Sequence, residues 1–227
     1  MNMTGTWENR PAEAEPRTEG GVLWAWAGAA AGAAGVAGIQ ASLAISAAYD
    51  PDNRGDVVKI AEEFATTTTQ LTVMHVTLML ATVLLPVFAA GLYRRLRARV
   101  PADSLLPSVA ALGLVLTSVA TLMGTGLDTE LIFGAADDAA VSPEFLTFGS
   151  HWVGTIPWLW VGSGLTGVAL AAASFRYRAV PRWLGAVAAL FGGLTLLTGI
   201  SPLQYMAGFP GPVLVLIAGL GLAFSRR

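Results

Sequence analysis

The chain has 227 residues, of which 54% are apolar and only 12% charged, with a formal net charge of −2 and a mean hydropathy of +0.61. Soluble domains carry about 25% charged residues, so an ordinary water-soluble globule is excluded. Cysteine is absent, which excludes disulfides, thiolate metal sites and thiol redox chemistry, and the lack of a basic domain or an aromatic–basic platform leaves nucleic-acid binding without support.

Residues 1–20 are polar and aperiodic and are predicted to form a disordered cytoplasmic tail, followed by a single transmembrane domain over 21–227. A helix crossing a hydrocarbon core of about 30 Å needs about 20 mainly apolar residues. The first such run covers 22–46. Read as a secretory signal peptide it exceeds the usual 7–15 apolar residues, and Glu8, Glu13, Glu15 and Glu19 are wrong for a basic leader. A retained span is therefore expected. Its Gly28 and Gly32 form a G-x-x-x-G pair, which lets helices approach closely; packing inside the bundle is the expectation and homo-oligomerisation the alternative.

The segment 47–69 opens on Asp50-Pro51, a cap followed by proline at the first helical position. Val57, Val58, Ile60, Ala61 and Phe64 then recur at helical spacing opposite Asp56, Lys59, Glu62 and Glu63. This predicts a short amphipathic helix on the membrane surface or capping the bundle. The stretch Asp50–Asp56 has the look of a calcium loop, but Arg54 holds a ligand position and Ala61 stands where a bidentate glutamate belongs, so a turn is expected. Thr66 to Thr69 should cap the next helix. The second span covers 70–93, the third 106–127, the fourth 151–175, the fifth 183–200 and the sixth 206–224, with Ser142-Pro143 a plausible start for the fourth helix or a prelude to it. Pro86 and Pro157 lie inside spans two and four and are predicted to kink them. Trp152, Trp158, Trp160 and Trp183 sit toward helix ends or along span four, and an interfacial aromatic belt accounts for most of them.

The charges orient these spans. Arg94, Arg95, Arg97 and Arg99, then Arg176, Arg178 and Arg182, then Arg226 and Arg227 flank alternate helix ends, and with Arg10 and Arg17 of the tail eleven of the thirteen Lys and Arg fall on one side. Ten of the fifteen Asp and Glu, including Asp128, Glu130, Asp137, Asp138 and Glu144, fall on the other. The positive-inside rule then predicts an all-α, polytopic six-helix transmembrane bundle with both termini cytoplasmic (N-in/C-in). The hairpins 75–101 and 151–181 each read histidine, apolar helix, aromatic–arginine cluster and Val-Pro. Duplication is one account of this; the general likeness of basic stop-transfer loops is the plainer one.

The sequence has two histidines, His75 and His151, and the topology puts both near the acidic face. Gln40, Tyr49, Asp128, Glu130, Trp152 and Tyr205 share that zone, whereas the helix centres hold no carboxylate. Pumps and secondary transporters place ionisable groups near the midplane, so the asymmetry favours an outward-opening pocket that binds a small molecule or cofactor. Three readings of it stand open. His75 and His151 could be ligands to a haem iron or, with Asp128 or Glu130, to a divalent ion. His75, His151 and Asp128 could perform isomerase- or cyclase-like acid–base catalysis on a lipophilic substrate. In the plainest account, both rings sit at the interface and hydrogen-bond within the bundle. A transporter or a structural membrane subunit is a further alternative. Membrane lipid is the expected partner.

The stretch 71–127, with His75 early in a helix, Leu84-Leu85-Pro86-Val87 and the arginine-rich segment Leu92–Arg99, resembles a broad set of multi-spanning membrane proteins of high-GC bacteria. The resemblance implies a bacterial plasma-membrane location and about six spans, and brings no activity with it.

Overall fold

The structure, a computed structural model, describes residues 21–136 and 141–225. The tail 1–20 and the charges Asp137, Asp138, Arg226 and Arg227 lie outside the described residues. The described residues form helices and turns with no strand: α1 (Leu23–Leu43), α2 (Val57–Ala65), α3 (Thr68–Arg97), α4 (Leu106–Gly124), α5 (Asp128–Ala136), α6 (Pro143–Thr155), α7 (Val161–Tyr177), α8 (Arg182–Gly199) and α9 (Pro210–Phe224). Five segments are long and apolar enough to cross a membrane: Thr68–Arg97, Leu106–Ala136, Pro143–Tyr177, Arg182–Gly199 and Gln204–Phe224. The 21-residue α1 is comparable in length, but its apolar content is largely alanine and glycine, residues with little surface to transfer into lipid.

Several boundaries differ from the sequence expectation, each for a local reason. The fourth segment begins at Pro143, eight residues before the expected span and at the Ser142-Pro143 start: Ser142 caps it by accepting from the Phe145 N–H, with proline at the first position. Asp50 does cap, accepting from the Asp52 N–H at 2.9 Å, but it starts only the 3-10 turn Pro51–Asn53. Gly55, at φ +79, then turns the chain, and Asp56 caps α2 through the Lys59 N–H. The Thr66, Thr67 and Thr68 hydroxyls donate back to the carbonyls of Glu63, Phe64 and Ala65, so they finish α2 rather than cap α3. Pro86 leaves α3 unbroken, whereas Pro157 sits in the 3-10 segment Ile156–Trp160 that separates α6 from α7.

The long helices pack in a closed ring, α1 on α3, α3 on α4, α4 on α7, α7 on α8, α8 on α9 and α9 back on α1. Neighbours run antiparallel. At one end Trp24 of α1 stacks on Phe88 of α3; further along, Gly38 meets Leu78. Close approach relies on glycine. A Cβ at Gly167 would lie 2.5 Å from the Gly192 Cα, and one at Gly219 would lie 2.2 Å from the Ala29 nitrogen. Hydroxyls link the helices: Thr82 and Thr121 share a 2.8 Å hydrogen bond, Ser118 donates to the Thr82 carbonyl at 2.7 Å, and Thr166 donates to the Ala110 carbonyl at 2.8 Å. Such bonds are characteristic glue between helices in lipid. The outward faces of α3, α4 and α8 expose Leu80, Val83, Leu112, Leu116, Leu190 and Leu197, an apolar surface far too continuous for a protein bathed in water.

The arginine-rich helix ends gather at one end of the ring and the acidic residues at the other. At the acidic end α2 lies across α6 and buries Ile60, Ala61 and Phe64. Burying a phenylalanine fully is worth about 1.5–3 kcal/mol, enough to hold so short a helix against its neighbour.

A candidate site at the acidic end

The expected site residues divide between two settings. In the first, His75 projects from the second turn of α3 and its Nδ1 lies 3.2 Å from Oδ2 of Asp128, the first residue of α5. The antiparallel contact of α3 with the α4–α5 segment produces this meeting. Asp128 is fully buried while the His75 side chain is 31% exposed, so the imidazole stands between the carboxylate and the surroundings. The other carboxylate oxygen, Oδ1, is buried without a protein hydrogen-bond partner. Thr125, one turn before, donates to the Thr121 carbonyl at 2.9 Å and lies 3.3 Å from the Met79 sulfur. Trp152 donates its indole N–H to the Gly124 carbonyl at 2.9 Å, tying α6 to the α4–α5 junction just below.

In the second setting, His151 lies two-thirds of the way along α6 and meets the Tyr49 ring edge-on, with centroids 5.6 Å apart at 82°. A cavity of about 470 Å³ opens here between α6 and the loop before α2, lined among others by Tyr49, Asp50, Arg54, Ile60, Thr147 and His151. Thr147 and His151 are four residues apart on α6 and so share a face. The loop that roofs the cavity is pinned: the Ala48 N–H donates to the buried Ser150 hydroxyl at 3.0 Å, and Thr147 donates to the Val57 carbonyl at 3.0 Å. Buried Asn53 donates to the Ala47 carbonyl at 3.1 Å and to the Glu63 carboxylate. Gly154 makes room for the tyrosine, since a Cβ there would lie 2.3 Å from its ring. Partial burial pushes the Tyr49 hydroxyl above its ordinary pKa, so it remains a neutral donor at any physiological pH.

The two histidines thus have different neighbours, Asp128 for His75 and Tyr49 for His151. Of the remaining expected pocket residues, Gln40, Glu130 and Tyr205 are exposed and line neither setting, and Trp152 is a half-buried strut. Among the described residues no three His, Asp or Glu side chains converge as a metal would require; His75 and Asp128 supply two donors. Asp50 and Arg54, read from the sequence only as parts of a turn, and Thr147 also line this cavity, although none of the three is among the expected pocket residues. Thr147 carried a usable signal, its i,i+4 spacing to His151, hidden by starting the helix too late. Comparison of the chain with protein-family models, with curated proteins and with solved structures finds no match.

Proposed function

We propose that this is a six-span protein of the bacterial plasma membrane, with both termini cytoplasmic, that binds a small amphipathic molecule at its outer face. The closed antiparallel ring supports counting α1 as a span, because an even number of helices around it returns the chain to its starting side. The charge segregation supports the orientation. The observation that carries the binding role is the cavity beneath the pinned 47–56 loop, where an imidazole, a phenol, the Asp50 carboxylate and the Arg54 guanidinium border apolar Ile60 and Val57. A few convergent polar groups in an otherwise apolar concavity are the usual make-up of a small-molecule site. Protein extracted in mild detergent is expected to carry a discrete added mass by native mass spectrometry, and both His151→Ala and Thr147→Leu should diminish it. A bare wild-type mass, or a ligand retained unchanged by both variants, sinks this reading.

The absence of native cysteine makes orientation directly measurable. In intact cells a membrane-impermeant maleimide should label Asp52→Cys and should reach Asp103→Cys only after permeabilisation; the opposite pattern inverts the topology.

A second reading, acid–base catalysis on a lipophilic substrate, is favoured by one observation. The buried Asp128 takes His75 through Nδ1, an orientation that fixes the tautomer and makes Nε2 the atom for exchanging a proton with a substrate. Loss of turnover in His75→Gln, with the cavity variants active, would separate this reading from the first.

A further inference from the structure

At the arginine-rich end, two loops that are far apart in sequence close around one space. Arg95 and Arg99, from the end of α3 and the residues after it, and Arg178 and Arg182, flanking the α7–α8 turn, line a cavity of about 480 Å³ together with Pro181 and Ser225. Basic loops on the cytoplasmic side follow from topology alone. Their convergence on a single concavity does not. Arg178 also holds a left-handed backbone, φ 52, where glycine is the least strained residue and any other costs roughly 1 kcal/mol. Its N–H and that of Ala179 satisfy the carbonyls of Ser174 and Ala173 at 2.9 and 3.1 Å, so the strained turn is held firmly and delivers an arginine to the cavity. The only acidic side chain described in either of these two loops is Asp103.

A second groove, of about 430 Å³, abuts the first and shares Pro181 and Ser225 with it. It runs between α8 and α9 and is lined by Trp183, Ile217, Leu220, Gly221 and Phe224. Gly221 keeps it open to the indole: a Cβ there would lie 2.7 Å from the Trp183 ring. A cationic cup thus continues into an apolar channel along the bilayer-facing surface of two helices.

We propose that this end of the bundle binds an anionic diacyl phospholipid, its headgroup phosphate among Arg99, Arg178 and Arg182 and one acyl chain in the α8–α9 groove. Guanidinium groups match phosphate oxygens in charge and fork geometry, and basic pockets between helices on the cytoplasmic side are suited to anionic headgroups. The adjoining groove selects a lipid over a free anion. The proposal needs only that the bundle lies in a membrane, so it stands even if the outer-face ligand site fails.

The test places the full-length protein in nanodiscs of equal phosphatidylglycerol and phosphatidylcholine and counts retained lipid by native mass spectrometry after detergent release. Wild type should keep phosphatidylglycerol in preference, and millimolar inorganic phosphate should not displace it. Each basic residue at an anionic surface is worth about fivefold in binding, so Arg178→Gln with Arg182→Gln should weaken retention on the order of twenty-five-fold. Leu220→Trp, which fills the groove and leaves every charge in place, should also lower it, which guards against a mere loss of net charge or of folding. Equal retention of the two lipids, displacement by inorganic phosphate, or indifference to both sets of variants would overturn the proposal. So would retention that emerges only when residues 1–20 are removed, because the cavity's partner would then be the chain's own glutamates.

Discussion

Removing the imidazole from the His75–Asp128 pair should destabilise the protein far more than removing the carboxylate. In His75→Ala, a fully buried carboxylate loses its one observed partner at Oδ2 while Oδ1 already has none. Breaking a buried pair in this way costs about 3–5 kcal/mol, and the 31% exposure of the histidine side chain sets the expectation at the lower end, about 3 kcal/mol. Asp128→Asn keeps the shape and an acceptor, and the imidazole it leaves behind reaches the surroundings, so the loss is that of one charge-assisted hydrogen bond, about 1.5 kcal/mol. The double variant His75→Ala/Asp128→Asn strands no charge and should cost little more than Asp128→Asn alone with the lost ring packing added. The coupling would then be on the order of 2 kcal/mol, well above the 0.3–0.5 kcal/mol scatter about additivity. Reversible unfolding in mixed micelles, titrated with SDS, measures all three variants. Equal losses in the two single variants with additivity in the double would refute the argument, because they would mean that Asp128 does not depend on His75 for its burial.

Other expectations follow from the packing. Gly167→Val should disrupt the α7–α8 contact, since even its Cβ would lie 2.5 Å from the Gly192 backbone; a loss above about 2 kcal/mol, near the upper range for overpacking, is expected in the same assay, whereas Gly193→Val, with nothing within 4 Å, should be almost neutral. Thr82→Val removes the hydroxyl bonded to Thr121 and should cost about 0.6–1.7 kcal/mol, the range for hydrogen bonds between helices in membranes; no change would mean that this bond contributes nothing beyond packing.

Much of the helix inventory was legible because hydropathy is a bulk signal that needs no knowledge of neighbours. The errors fall where polar residues are folded into a helix for a tertiary reason. Glu144, Thr147, Ser150 and His151 dilute the apolar run before Val153 and hid the first two turns of α6, although Ser142-Pro143 marked the cap. The cap at Asp50 was visible, but nothing local says that Gly55 turns the chain before a second cap at Asp56. Pairing was less legible than position. Topology ranks residues by depth, and it did bring His75, Asp128, His151 and Tyr49 to one end. It says nothing of azimuth around each helix, and azimuth gives His75 to Asp128 and His151 to Tyr49. The arginine cavity escaped for the same reason: its residues belong to separate loops whose lateral neighbours only the ring defines.

That ring closes where α1 meets α9, and Trp26 packs edge-on against Phe224 with centroids 5.3 Å apart. The first and last described residues, Gly21 and Ser225, therefore leave the bundle on the same side and close together. The seam between α9 and α1 is an interface like the other five, lacking only a connecting loop. A short linker across it, with the chain opened instead at the turn near Pro101 or Arg178, keeps every helix pair and every crossing direction. The order in which these helices are synthesised is thus one of several cyclic permutations that the same set of contacts accepts.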